Sequence, residues 1–110
     1  MDRHDKLFKI ADRIDEISFA ANKIAVVNAE DKSICIAKTG SGLKAFPHYC
    51  PHAGGDLSEG FIDKRENIIC PIHGYRFSLN NGRDTNNEGY LLKIYKVIEA
   101  EDGIFVKLEL

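Results

Sequence analysis

Cys50-Pro51-His52 and Cys70-Pro71-Ile72-His73 form two Cys-His pairs with seventeen residues between His52 and Cys70. A fold that uses both pairs must bring two separate loops face to face. Each pair offers one thiolate and one imidazole, both good ligands for a transition metal. The chain has three cysteines, an odd number, and two of them lie beside histidines. A disulfide framework is therefore a poor explanation and metal ligation a better one. The combination of C-x-H with C-x-x-H is far more specific than a lone CxxC or a single histidine.

The rest of the chain has the texture of short strands. Apolar runs of strand length span 7–11, 23–27, 33–38, 43–47, 67–70, 75–79, 91–97 and 104–108. Asn28-Ala29-Glu30-Asp31, Thr39-Gly40-Ser41-Gly42, Asn80-Asn81-Gly82 and Glu101-Asp102-Gly103 separate them. Such residues tolerate positive φ or bond their own backbone, which makes turns. Many short strands cut by regular turns predict an all-β sandwich or barrel. Ile14, Ile17, Ala21 and Ile24 recur at helical spacing, so 13–25 is open between a short amphipathic helix and the entry to a strand. No repeat or linker divides the chain, and 110 residues make one domain over 1–110. Residues 46–83 hold both Cys-His pairs and five of the nine glycines, the pattern of a loop-rich site on a β scaffold.

Fifteen Lys and Arg against seventeen Asp and Glu leave a formal charge of −2. The basic residues are scattered, without the concentrated face that a phosphate backbone requires, so no nucleic-acid partner is expected. Residues 1–11 include Asp2, Arg3, His4, Asp5 and Lys6 and lack the apolar core of a signal peptide. No apolar run approaches the roughly 20 residues of a membrane span, so a cytoplasmic protein without a membrane partner is expected.

Two loops that each present a Cys and a His can clamp a binuclear iron-sulfur cluster, thiolates on one iron and imidazoles on the other. Two Cys and two His also suit zinc. Zinc sites, however, usually space paired ligands by about two to four residues, and only Pro51 separates Cys50 from His52. A zinc-binding module stands as the less favoured alternative. The mixed ligand set has an electrostatic consequence. Ferric ions, sulfides and two thiolates sum to zero formal charge in the oxidised cluster, whereas four thiolates leave it negative, so neutral imidazoles make an added electron easier to accept. Backbone amides must also approach the sulfurs, and Gly54, Gly55 and Gly74 remove side chains that would block them.

This spacing resembles the signature of the Rieske-type 2Fe-2S ferredoxin family. The likeness extends to Pro51, Pro71, Gly74, the Gly54-Gly55-Asp56-Leu57 stretch and the segment from Arg76 to Gly82. The resemblance implies a three-sheet antiparallel β sandwich with a small cluster-binding subdomain at about residues 45–80, the remainder forming its base. It implies one 2Fe-2S cluster on Cys50, His52, Cys70 and His73, the histidine side nearest the surface. Respiratory-complex members are similar at the loops but carry an extra cysteine in each, where this chain has Gly55 and Ile72, together with a membrane anchor. Oxygenase large subunits are similar at the cluster but continue into a catalytic domain. By resemblance the chain is expected to be an electron carrier and not an enzyme. It would pass one electron from a flavin-dependent reductase to a terminal oxygenase or reductase, docking near His52 and His73. The small Rieske subunit of an assimilatory nitrite reductase is the alternative.

High-potential members place a serine and a tyrosine where this chain has Tyr75 and Phe77, and those hydroxyls bond cluster sulfurs. Their absence implies a potential near the low end of the family range. Cys35, in Ser33-Ile34-Cys35-Ile36-Ala37, reads as a small buried hydrophobe away from the ligand loops, and His48 as a neighbour of the first loop. Asp56, Glu59 and Asp63 are either a docking surface for a basic partner or a solvated loop.

Overall fold

A computed structural model of the chain describes residues 5–52, 54–72 and 74–109. Among these residues nine strands form three antiparallel sheets of three: β1 (Asp5–Ala11), β2 (Ile24–Ala29), β3 (Lys32–Thr39), β4 (Gly42–Pro47), β5 (Phe61–Ile62), β6 (Asn67–Ile69), β7 (Arg76–Ser78), β8 (Lys96–Ala100) and β9 (Gly103–Glu109). The sheet orders are β1-β9-β8, β2-β3-β4 and β5-β6-β7. Tight turns set the registers. Between β2 and β3, Glu30 and Asp31 both take positive φ, 53° and 63°, and leave Ala29 opposite Lys32. Between β3 and β4 the Thr39 hydroxyl accepts from the Ser41 amide and donates to the Gly42 carbonyl, which leaves Thr39 opposite Gly42.

The middle layer is the sheet built on β3, whose Ile34-Cys35-Ile36-Ala37 run is buried on both faces. Successive side chains of a strand point to opposite faces, so this run joins two cores. Ile34 and Ile36 pack with Ala29, Ala45, Val106 and Leu108 toward the β1-β9-β8 sheet. Cys35 and Ala37 pack with Ile24, Phe46, Ile68, Phe77 and both Cys50 and Cys70 toward the β5-β6-β7 sheet. A continuous apolar run, in place of alternation, is what a strand covered on both sides requires. Cys35 therefore does not lie away from the ligand loops, as its place in the sequence suggested. It forms part of the apolar floor beneath them.

Two segments depart from the sequence-based expectation. Residues 13–25 make neither a helix nor a long strand entry: one 3-10 turn, Ile14–Glu16, is followed by irregular chain until β2. Asn22 holds that chain to the site side, its amide donating to the Ser58 and Gly60 carbonyls at 2.8 and 2.9 Å. The apolar run 91–97 is not one strand. Leu92 drops into the core, Tyr95 donates its amide to the Ala45 carbonyl at 2.8 Å, and regular pairing begins only at Lys96. Among the described residues no helix is long and apolar enough to cross a membrane.

Candidate metal centre

The two Cys-His segments fold as matched loops. Cys50 donates its amide to the Gly55 carbonyl and accepts from the Gly54 amide, both at 2.8 Å. Cys70 does the same with the Tyr75 carbonyl at 2.8 Å and the Gly74 amide at 3.0 Å. Gly54 and Gly74 occupy the same left-handed conformation, φ 73° and 71°, which side chains other than glycine adopt only at a cost. The loops therefore share one backbone design although their sequences hide it, the histidine standing third in the first and fourth in the second.

The loops pack directly on each other. A Cβ placed on Gly55 would lie 2.8 Å from Ile72 Cγ1 and 2.9 Å from Cys70 Sγ, so only glycine lets the first loop approach the second. The positions where respiratory-complex proteins resemble this chain but carry cysteines, Gly55 and Ile72, thus meet in space. Cys50 and Cys70 are buried free thiols, 4% and 1% exposed. His52 is half-buried with its Nδ1 shielded from solvent, and its amide donates to Cys50 Sγ at 3.4 Å. Two buried thiols, a buried imidazole nitrogen and an amide aimed at sulfur form a donor set that fits a 2Fe-2S cluster. His73 lies outside the described residues. Among the described residues no three His, Cys, Asp or Glu side chains converge on a single-ion site.

Cys35 is fully buried, and burial, followed by the nearby Asp56 carboxylate, pushes its thiol up to about 12. It is thus held as a neutral thiol, a poor ligand and a poor nucleophile. His48 is more than a neighbour. Its Nδ1 lies 3.0 Å from the Ser33 hydroxyl and its Nε2 lies 2.8 Å from Asp56 Oδ1, so the ring ties the start of β3 to the exit of the first loop.

Asp56 and Asp63 are half-buried, and both carboxylates are engaged by the protein's own groups. Burial raises the Asp56 carboxyl, but the Ser58 hydroxyl and amide and then His48 outweigh it and hold it below its ordinary value. At Asp63 burial again opposes ionisation, and the Asn67 amide and side chain, the Arg65 amide and the Arg76 guanidinium prevail. Glu59 alone of the three is exposed.

Sequence reading missed the segment that covers the site. Asp84, 6% exposed, accepts backbone amides from Asn86, Glu88 and Tyr90 at 3.0, 2.9 and 2.7 Å. This closes 84–90 into a loop whose Glu88 and Tyr90 meet Tyr75 and whose Tyr90 also meets His52. The Glu88 amide leads in holding the Asp84 carboxyl below its ordinary value, burial opposes, and the Tyr90, Asn86 and Asn87 amides add to it. A carboxyl whose folded pKa is depressed contributes stability above its unfolded pKa of about 3.9 and loses it as pH falls through the folded value. Denaturant unfolding is thus expected to show stability falling below about pH 4, and Asp84→Asn should flatten that fall. An equally steep acid limb in the variant would show that Asp84 is not its source. Asp84-x-Asn86-x-Glu88 carries a signal for such a turn, since Asp and Asn bond nearby backbone, but nothing local shows what the turn covers.

Comparison with known proteins bears on the same region. A methanesulfonate monooxygenase ferredoxin subunit from Methylosulfonomonas methylovora is 30% identical over 89 residues, 81% of this chain and 72% of that protein. The ferredoxin of carbazole 1,9a-dioxygenase from Nocardioides aromaticivorans IC177 superposes with a TM-score of 0.75 at 21% identity, covering 92% of this chain and 96% of its own. A chain named as an NADH-dependent nitrite reductase small subunit from Mycobacterium tuberculosis gives 0.78 at 18% identity, covering 96% and 97%. Several other curated relatives are much longer, and the chain spans only 14% and 12% of two of them. Structural likeness at such identities shows the fold and leaves the cofactor open. The sequence model of the Rieske [2Fe-2S] domain, however, matches residues 8–94 and so takes in both Cys-His pairs: the chain belongs to the Rieske [2Fe-2S] domain family, and its cofactor is a 2Fe-2S cluster.

Proposed function

We propose that the protein is an electron-transfer ferredoxin of the cytoplasm, with Cys50, His52, Cys70 and His73 as cluster ligands, serving a terminal oxygenase from a flavin-dependent reductase. The observation that carries this reading is the pair of matched loops pressing two buried cysteines together. When bound, the cluster supplies a one-electron redox centre. The chain's own residues hold and shield it. Gly55 lets the loops close, the His52 amide is directed at Cys50 Sγ, and the apolar floor of Cys35, Leu57, Ile68 and Phe77 excludes water from beneath. Residues 45–80 are proposed as the cluster-binding subdomain, the other two sheets as its base. The half-buried His52 and exposed Ile72 put this end within reach of a partner, docking near His52 and His73.

The oxygenase assignment rests on the methanesulfonate monooxygenase ferredoxin subunit, which the chain spans for 72% of its length. It draws further support from a solved complex of reduced oxygenase and oxidised ferredoxin in carbazole 1,9a-dioxygenase, one chain of which matches this fold at a TM-score of 0.73. The fold match to the nitrite reductase small subunit favours a second reading, a carrier subunit of that enzyme. Family membership sets the zinc-binding module aside.

The purified protein is expected to be reddish-brown, with two irons and two acid-labile sulfides per chain and, when reduced, an EPR spectrum of the low average g-value that mixed Cys/His ligation gives. Stoichiometric zinc without sulfide would overturn the proposal. Native co-purification separates its two branches, since an oxygenase supports the first and a nitrite reductase large subunit the second.

A further inference from the structure

The two cluster loops are equivalent in backbone but not in the residue that closes each. Gly55 ends the first, and Tyr75 ends the second with the same carbonyl bond to the cysteine amide. The Tyr75 ring lies over His52 of the opposite loop, centroids 3.8 Å apart and planes within 13°. Tyr90 meets the same imidazole edge-on at 4.9 Å and 81°, and meets Tyr75 edge-on at 5.7 Å and 83°. The imidazole is thus bounded on one face and one side by two phenol rings that also hold each other. Edge-on aromatic pairs at such separations attract beyond their buried area.

The two phenols are themselves fixed. The Tyr75 hydroxyl donates to Glu88 Oε1. Glu88 and Tyr90 both stand on the loop closed by Asp84, which accepts their amides. Positional information therefore passes from a buried carboxylate, through a folded loop, to two rings and onto His52. A stack parallel to an imidazole sets the plane of that ring without touching its nitrogens.

We infer that Tyr75, anchored through Glu88 and Tyr90 by the Asp84 loop, is a positioning residue that fixes the imidazole plane of His52 and thereby the ligand geometry of the metal centre. This rests on the ligand assignment proposed above. The role belongs to the face of the tyrosine ring, and its hydroxyl serves to hold that face in place.

The test uses the holoprotein with Tyr75→Leu, Tyr75→Phe and Tyr90→Leu. Two measurements are made: the nitrogen hyperfine couplings of the coordinated imidazoles by pulsed EPR of the reduced protein, and the rate of iron loss to a chelator. Tyr75→Leu is expected to broaden and shift the couplings of one imidazole and to speed iron loss by about 10- to 100-fold, the range typical when a partner that orients a metal ligand is removed. Tyr75→Phe keeps the stack but loses the Glu88 anchor, so its couplings should shift in the same direction by less than those of Tyr75→Leu. Tyr90→Leu removes the edge contacts to His52 and Tyr75 and leaves the stack, should change the couplings in the same direction by less, and gives the same reading should Tyr75→Leu not take up iron. Wild-type couplings and wild-type iron loss in a loaded Tyr75→Leu or, failing that, Tyr90→Leu protein would overturn this inference alone, as would a Tyr75→Phe protein as disturbed as Tyr75→Leu. A wild-type protein that holds no iron and sulfide would overturn the ligand assignment and this inference with it.

Discussion

Cys50→Ser and Cys70→Ser are each expected to give colourless protein without iron or sulfide, whereas Cys35→Ser keeps the wild-type spectrum. All three cysteines are buried in one apolar cluster, so burial does not distinguish them; backbone placement does. Cys50 and Cys70 sit at equivalent points of the two matched loops, and the position of a Cβ on Gly55 shows the first loop pressed against Cys70 Sγ. Cys35 lies mid-strand, and burial pushes its thiol up to about 12. A metal that binds the folded state alone contributes its binding free energy to folding. Losing a ligand should therefore also lower Tm, by at least about 5 °C on the scale where 1 kcal/mol moves a small domain by about 4–8 °C. Cys35→Ser buries an extra hydroxyl and should cost about 1–3 kcal/mol while leaving the cluster in place. Absorption spectra, iron content and thermal melts decide the matter. A folded, colourless Cys35→Ser protein would overturn the ligand assignment.

The midpoint potential is expected near the low end of the Rieske range, at about −150 to −100 mV on a scale reaching roughly +300 mV. Donors to sulfur stabilise the negative charge that grows there on reduction, and so raise the potential. The His52 amide, 3.4 Å from Cys50 Sγ, is a donor of this kind. The two hydroxyls that high-potential relatives add are missing. Tyr75 turns its hydroxyl to Glu88, and Phe77, fully buried in the same cluster as Cys50 and Cys70, has none. Phe77→Tyr should place a donor beside the cysteine sulfurs and raise the potential by tens of millivolts, where about 60 mV corresponds to roughly 1.4 kcal/mol for one electron. Protein-film voltammetry measures both values. A wild-type midpoint above about +100 mV would show that another donor replaces the missing hydroxyls.

The Cys-His pattern and most strands were legible in the sequence because both are local. Cys50, His52, Cys70 and His73 stand out by spacing alone, and β2, β3, β4 and β9 announce themselves by β-rich runs between turn residues. Where a run's state depends on a distant partner, the local pattern fails. Residues 91–97 are apolar enough for a strand, yet pairing waits until Lys96, because the preceding residues are held by the core at Leu92 and by Ala45 at Tyr95. The short β5 has too few residues to show a period, and it forms only because β6 offers it an edge.

Tertiary structure alone decided which face of β3 carries Cys35, since alternation places Cys35 opposite Ile34 and Ile36 but does not say which core each face meets. It also decided that Asp56 and Asp63 are internal partners, that Gly55 stands where a side chain would strike Cys70, and that Tyr75 covers His52. Spacing along the chain records which residues can ligate a metal. The orientation of those residues depends on side chains that meet from distant positions, His52 with Tyr75 and Tyr90, and contacts between such positions arise only when the strands pair and the loops close.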